Sequence, residues 1–190
     1  SNWSPIGPVG SPSVLPDTDN QDGTGRLHSI AFHPTNANIF YVGTAYGGLW
    51  KTTNGGAAWS NASVNLDKQI PVTGIGDILI DYDDPSTIYV STGEPDDLMF
   101  NPSVGIYKST DGGKSWKQTL FVAEDAGIID LAVSKNNPKI MFAASWQKDR
   151  KAWHFDGDGE KSGIYKSEDG GTSWKLVTTK ESGFPSNEGV

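Results

Sequence analysis

Gly48-Leu-Trp-Lys-Thr-Thr-Asn-Gly-Gly-Ala-Ala-Trp59, Gly105-Ile-Tyr-Lys-Ser-Thr-Asp-Gly-Gly-Lys-Ser-Trp116 and Gly163-Ile-Tyr-Lys-Ser-Glu-Asp-Gly-Gly-Thr-Ser-Trp174 are three copies of one phrase. Trp59 and Trp116 are 57 residues apart, and Trp116 and Trp174 are 58 apart. Self-similarity at such a period marks a solenoid, an array or a propeller. Each copy follows two strand-like runs. The first runs are 26–33, 73–81 and 127–134, and the second are 38–44, 87–92 and 139–145. Between them stand His33-Pro-Thr-Asn, Asp83-Asp-Pro-Ser and Asn136-Asn-Pro-Lys. These are turn residues, because Pro fixes φ and Asn or Asp bonds its own backbone.

Every repeat therefore reads as four short antiparallel strands, A to D, with the Gly-Gly turn joining C to D. Four-stranded units in tandem are the blades of a β-propeller. The expected fold is all-β, about three blades of a larger or oligomer-closed propeller. Residues 26–66, 67–122 and 123–179 are the expected blades, and 180–190 the approach to a further one. Asn2-Trp3-Ser4-Pro5-Ile6 resembles a D strand, and Trp3 lies 56 residues before Trp59. Residues 1–25 are accordingly read as a ring-closing strand and a linker, with the remainder of the propeller or further subunits needed to complete the ring.

Composition agrees and excludes several chemistries. The 190 residues hold 23 Gly, 11 Pro, seven Trp and no Cys, and 15 Lys+Arg against 23 Asp+Glu give a net charge of −8. That charge opposes a phosphate backbone or an anionic lipid surface, so nucleic acid is not an expected partner. The longest apolar stretches fall far short of the ~20 residues of a membrane helix, so membrane insertion is not expected. Without cysteine there are no disulfides, no Cys-ligated zinc and no thiol catalysis. His28, His33 and His154 show no metal-ligand spacing.

The turn itself carries a resemblance. Ser109-x-Asp111-x-Gly113-x-x-Trp116 and Ser167-x-Asp169-x-Gly171-x-x-Trp174 are similar residue for residue to the Asp-box, or BNR repeat, and Thr52-x-Asn54-x-Gly56-x-x-Trp59 is a conservative variant. The physics suits a C-to-D hairpin: the carboxylate or amide accepts backbone N–H bonds, Gly takes positive φ and Trp packs over the loop. These twelve positions are expected to be structural, since the turn occupies the acceptors of the Asp residues.

Asp-box propellers include sialidases, xyloglucan-hydrolysing endoglucanases, sortilin-type receptors and a photosystem II assembly factor. From Trp3 to Trp174, with Gly25-Arg-Leu-His-Ser-Ile-Ala-Phe-His-Pro, the run Tyr41–Gly56, Ile75-Gly-Asp-Ile and Tyr89-Val-Ser-Thr-Gly-Glu94, the chain resembles the opening blades of secreted bacterial sortilin-like and glycosyl-hydrolase-like proteins of the Bacteroidetes type. The resemblance implies a secreted or cell-surface bacterial protein, its signal peptide already removed, exported by type IX secretion.

In a propeller the B–C and D–A loops gather on one face, where ligands bind. Tyr46, Glu94, Asp96, Asp97, Trp146, Trp153, His154 and Asp156 are the expected ligand-face residues, with Phe155 beside them. Tyr46, Trp146, Trp153 and Phe155 would stack on sugar rings or peptide side chains. The blander readings are blade packing for Trp146 and a loop hydrogen bond for His154. Glycoside hydrolysis needs two carboxylates flanking the scissile bond, and Glu94, Asp96, Asp97, Asp156, Asp158 and Glu160 are available without any being singled out. The xyloglucan-hydrolysing resemblance puts a catalytic Asp where this chain has Ala45, and the sialidase resemblance asks for three arginines where only Arg26 and Arg150 exist. No catalytic residue is assigned. Calcium is a weak candidate at Asp156, Asp158 and Glu160, where carboxylates alternate with glycines; otherwise no cofactor is expected. Asp17-Thr-Asp-Asn-Gln-Asp-Gly23 fails the EF-hand pattern. Asn2 and Asn61 open N-glycosylation sequons.

The expected function is an extracellular binding or scaffold module whose ligand is a protein, a peptide or a glycan. The alternatives are a glycoside hydrolase with catalytic carboxylates partly outside these residues, and a structural subunit of an extracellular assembly.

Overall fold

The computed structural model describes residues 26–45, 47–62, 74–93, 105–151, 153–157 and 159–184. They form three four-stranded antiparallel sheets. The first is β1 (Leu27–Phe32), β2 (Phe40–Thr44), β3 (Leu49–Thr52) and β4 (Ser60–Asn61), in that spatial order. The second is β5 (Ile75–Ile80), β6 (Ile88–Thr92), β7 (Ile106–Ser109) and β8 (Lys117–Leu120). In the third, β9 (Ala126–Ser134), β10 (Asn137–Gln147), β13 (Gly163–Ser167) and β14 (Lys175–Leu176) follow the same order, and β11 (Asp149–Lys151) and β12 (His154–Asp156) form a separate hairpin within the β10–β13 connection. A single 3-10 turn, Lys180–Ser182, follows the last strand. The chain is all-β and its sheets are propeller blades.

Burial follows position in the blade. The second strands of the first and second blades, β2 and β6, are buried at every residue, and each is paired along both edges. The D strands are short and mostly exposed. One apolar cluster joins the first and second blades through Tyr41, Leu49, Ile75, Ile78, Ile80, Ile88 and Val90. A second, centred on Tyr89, Ile106, Ile128, Leu131 and Met141, joins the second and third. The core thus lies between sheets, and no sheet has a core of its own.

All three inner strands break register at the same place, between Leu27 and Ser29, between Ile75 and Ile78, and beside Asp130 where Ala144 gives way to Ser145. A bulge re-aims a side chain. In the second blade it points Asp77 at the third: Asp77 Oδ2 accepts the Leu131 N–H at 3.0 Å, while Oδ1 accepts the Ile78 N–H at 2.7 Å.

The repeated turns are closed by hydrogen bonds from their own residues. Asp111 Oδ1 accepts the amides of Lys114 and Ser115 at 2.9 Å each and the Ser109 hydroxyl at 2.8 Å, while Oδ2 accepts the Ser115 hydroxyl at 2.6 Å. Asp169 repeats this set with Thr172, Ser173 and Ser167. Asn54 keeps a smaller version, accepting the Ala58 N–H at 2.8 Å and the Thr52 hydroxyl at 3.0 Å. The amides of Gly56, Gly113 and Gly171 donate to the hydroxyls of Thr52, Ser109 and Ser167. The second glycine of each pair has positive φ, as does the first. Trp59, Trp116 and Trp174 stand one residue before their D strands. Trp116 is buried with its ring against Gly113, whereas Trp59 packs edge-on to Phe40 at 5.3 Å and the Trp174 N–H reaches the Thr119 hydroxyl at 3.4 Å.

Candidate functional site

Each C–D turn is tied to the A–B turn of its own blade: the amides of Gly55, Gly112 and Gly170 donate to the carbonyls of Asn38, Ser86 and Lys139 at 2.9–3.0 Å. Both turns therefore occupy one end of the blades, and antiparallel order puts the B–C loops at the other. Asp111 and Asp169 belong to the turn end and are held well below their ordinary range by the hydroxyls and amides of Ser115 and Ser173, with the Ser109 and Ser167 hydroxyls, Asp111 at about 2. Both oxygens of each are occupied by donors of its own turn.

At the loop end a hydroxyl clasps the base of every B–C connection. Thr44 and Thr92 donate to the carbonyls of Gly48 and Gly105 at 3.0 and 2.8 Å, and Ser145 donates to the Lys161 carbonyl at 2.6 Å with the Gly163 carbonyl 3.2 Å away. In the first blade this leaves a very tight loop in which Ala45 is buried and donates its N–H to the Arg26 carbonyl at 3.1 Å. The Trp50 N–H donates to the Gly47 carbonyl at 2.8 Å and closes the same loop. A methyl group at Ala45 supplies neither proton nor lone pair.

The third blade's connection is the elaborate one. The sequence reading leaves Gln147 to Ser162 as a loop, but the chain folds it into the β11–β12 hairpin, in which Asp149, Arg150 and Lys151 face Asp156, Phe155 and His154. Trp146 anchors it: its N–H donates to the Gly157 carbonyl at 2.8 Å, its ring meets Phe155 edge-on at 6.0 Å, and the Lys148 ammonium lies 5.1 Å from its centroid. Gln147, which sequence reasoning passed over, secures the base. Its amide nitrogen donates to Asp125 in the D–A connection at 2.7 Å, and its amide oxygen accepts the Lys161 N–H at 2.8 Å. A long polar side chain closing an otherwise hydroxyl-clasped strand was the available signal.

The hairpin presents Trp153, 84% exposed, and Phe155, 55% exposed, to solvent. An apolar ring that far from any core is available for stacking on a flat ligand. His154 and Asp156 are exposed beside them, on the opposite hairpin face from Phe155. Glu160 is exposed, four residues after Asp156, the other described carboxylate of the calcium candidate. Among the described residues no group of three or more His, Asp or Glu is placed to hold a metal ion, and no helix is long and apolar enough to cross a membrane. Tyr46, Glu94, Asp96, Asp97 and Asp158, with the strand expected around Trp3 and the 17–23 loop, lie outside the described residues.

No protein-family model matches the chain. A probable oligoxyloglucan-reducing end-specific xyloglucanase of Neosartorya fischeri is 30% identical over 98 residues, 52% of this chain and 11% of that protein. The crystal structure of a GH74 xyloglucanase from Xanthomonas campestris superposes with a TM-score of 0.59 at 16% identity, over 78% of this chain and 22% of that one. YCF48 from Cyanidioschyzon merolae superposes with a TM-score of 0.53 at 17% identity, over 84% of this chain and 42% of its own. The chain spans only 11–13% of the length of the curated relatives it first matches, and those similarities are to xyloglucanases, while the structural likenesses establish the β-propeller fold.

Proposed function

We propose that this chain is the glycan-engaging part of an Asp-box propeller at the cell exterior, acting on a polysaccharide of the xyloglucan class. The observation that carries the reading is the 30% identity over 98 residues to a xyloglucanase. The exposed Trp153 and Phe155 on an anchored hairpin at the loop end supply what a sugar ring needs, a rigid apolar plate at solvent. Catalytic carboxylates for hydrolysis would come from other parts of the protein, because Ala45 offers none at the place the resemblance assigns to the base. The bacterial origin and type IX export remain part of this proposal through the sortilin-like resemblance.

Ala45 also favours a second reading, a binding or scaffold module that holds the glycan without cleaving it. Electrophoresis of the whole protein of which this chain is part, through gels containing dissolved xyloglucan and with a reducing-end assay on the same sample, separates the two. Retardation with new reducing ends supports the hydrolase, and retardation without them the binding module. Migration identical with and without polysaccharide overturns the glycan reading. Trp153→Ala is expected to weaken the retardation several-fold while leaving the melting temperature unchanged.

A further inference from the structure

At the loop end of every blade, the end of the second strand is tied to the residue just before the first strand. Two blades do this with backbone alone: the Ala45 and Gly93 amides donate to the Arg26 and Gly74 carbonyls at 3.1 and 3.3 Å. The third does it with side chains, Gln147 Nε2 donating to Asp125 Oδ2 at 2.7 Å. Holding two polar side chains in one geometry costs rotamer entropy, and the other blades close the same junction without it.

The tie leaves one acceptor unused. Asp125 is exposed, and its Oδ1 accepts no hydrogen bond from the described residues. Its backbone is fixed by a tight turn, in which the amide of the fully buried Ala126 donates to the Ala123 carbonyl at 3.3 Å. Four residues earlier on the same connection, Phe121 is 50% exposed. Leu120 and Val122 on either side of it pack into the cluster between the second and third blades, and the Phe121 Cα would lie 3.0 Å from a Cβ on Gly105.

This connection joins β8 to β9, two blades that are locked together. The Tyr89 hydroxyl and the Lys108 ammonium both donate to the Gly170 carbonyl at 2.8 Å. Between the first and second blades Tyr41 and Lys51 donate likewise to the Gly112 carbonyl, at 3.3 and 3.5 Å. Each blade grips the turn of the blade that follows it. Phe121 and Asp125 therefore sit on a rigid seam inside this chain, whatever blades flank the three.

We propose that this seam is a second glycan-contact surface at the loop end, apart from the β11–β12 hairpin. Phe121 stacks on a sugar ring, Asp125 Oδ1 accepts sugar hydroxyl hydrogens, and Gln147 is the positioning residue that aims the carboxylate. A neutral sugar offers apolar C–H faces and a rim of hydroxyl donors, which calls for an aromatic ring and a fixed acceptor. The inference rests on the glycan reading above and adds residues to it.

Electrophoresis of the whole protein of which this chain is part, in gels with and without dissolved xyloglucan, tests it. Phe121→Ala and Asp125→Ala should each weaken retardation roughly 2- to 10-fold, the span of one net hydrogen bond or one ring contact, with unchanged melting temperature. Gln147→Ala should weaken it less, because the carboxylate remains but is no longer aimed. Gln147→Glu combined with Asp125→Asn keeps the tie with donor and acceptor exchanged and should restore retardation above that of Gln147→Ala. Glu124→Ala removes the same charge from the same connection and should change nothing. A retarded parent with either Phe121→Ala or Asp125→Ala retarded as strongly overturns the second surface and leaves the glycan reading standing. An equal loss in Glu124→Ala overturns it as an effect of charge alone. A parent that xyloglucan does not retard overturns the glycan reading, and this surface with it.

Discussion

Asp77 on the inner strand of the second blade accepts the amide hydrogen of Leu131 on the inner strand of the third, 3.0 Å away. This carboxylate bridges two blades from a partly buried position. Burial is the largest influence on it and pushes it above its ordinary 3.8; the Ile78 and Leu131 amides pull it back, and the charge of Asp130 raises it again.

The sign of its pH dependence follows. The folded chain keeps the Asp77 proton to a higher pH than the unfolded chain does. The stability it contributes is therefore fully present below 3.8 and is lost as pH rises through the folded value. Asp77→Asn does not titrate, so the parent should lose stability relative to this variant between about pH 3.8 and neutrality. Urea midpoints for both proteins across that range measure it, and a gap moving the other way would refute the assignment.

Asp111 behaves oppositely. The Ser115 hydroxyl, the Ser115 amide and the Ser109 hydroxyl, in that order, hold it at about 2. Its contribution is present above the ordinary 3.8 and is lost as pH falls through about 2. Carbon-detected NMR titration of the carboxyl should give that low value, and Ser115→Ala should raise it towards 3.8 by removing the first of the three donors. Titration of the parent at the ordinary value would sink this account of the turn.

The first blade's turn can be completed. Asn54 lacks the charge of Asp111 and Asp169, and Ala58 lacks the hydroxyl that Ser115 and Ser173 supply. Asn54→Asp with Ala58→Ser should stabilise by more than the two single changes added together. A double-mutant cycle in thermal unfolding is expected to give a coupling of about 1 kcal/mol, the net worth of a typical hydrogen bond. Strict additivity would show that the serine hydroxyl contributes nothing to the turn.

Two glycines separate backbone conformation from crowding. Gly112 has φ of 73° and open space where a Cβ would stand, whereas a Cβ on Gly105, at φ of 81°, would lie 1.8 Å from the Leu120 carbonyl oxygen. Gly112→Ala should cost only the left-handed conformation, about 1–2 kcal/mol. Gly105→Ala must also displace the β7–β8 pairing and should cost distinctly more. Equal losses in denaturant unfolding would contradict the close packing at Gly105.

The strands and turns were legible because the sequence prints them three times. A single Ser-x-Asp-x-Gly is ambiguous, but its recurrence beside alternating Ile, Tyr and Val runs leaves one architecture. Ala45 was singled out only by the resemblance to xyloglucan-hydrolysing propellers, which put a catalytic Asp at its place. The ties between blades were not legible. Tyr41 and Tyr89 look like ordinary strand tyrosines, and only the packed sheets bring their hydroxyls to Gly112 and Gly170. The β11–β12 hairpin escaped detection because Asp149–Asp156 mixes charge and aromatic residues without a period of two or a turn-forming Gly pair. Its order comes from Trp146 and Gln147, whose partners lie as far as 22 residues away.

The tyrosine–lysine grip runs from each blade to the next and not back. Among the described residues, the first blade grips without being gripped, and the third is gripped without gripping. The chain is therefore a directed line of nearest-neighbour couplings. Unravelling the third blade would strand Tyr89 and Lys108 without their acceptor, yet leave Tyr41 and Lys51 holding Gly112. Among these three blades the second is secured by a grip on one side and a held turn on the other, and amide exchange should accordingly report its backbone as the best protected of the three.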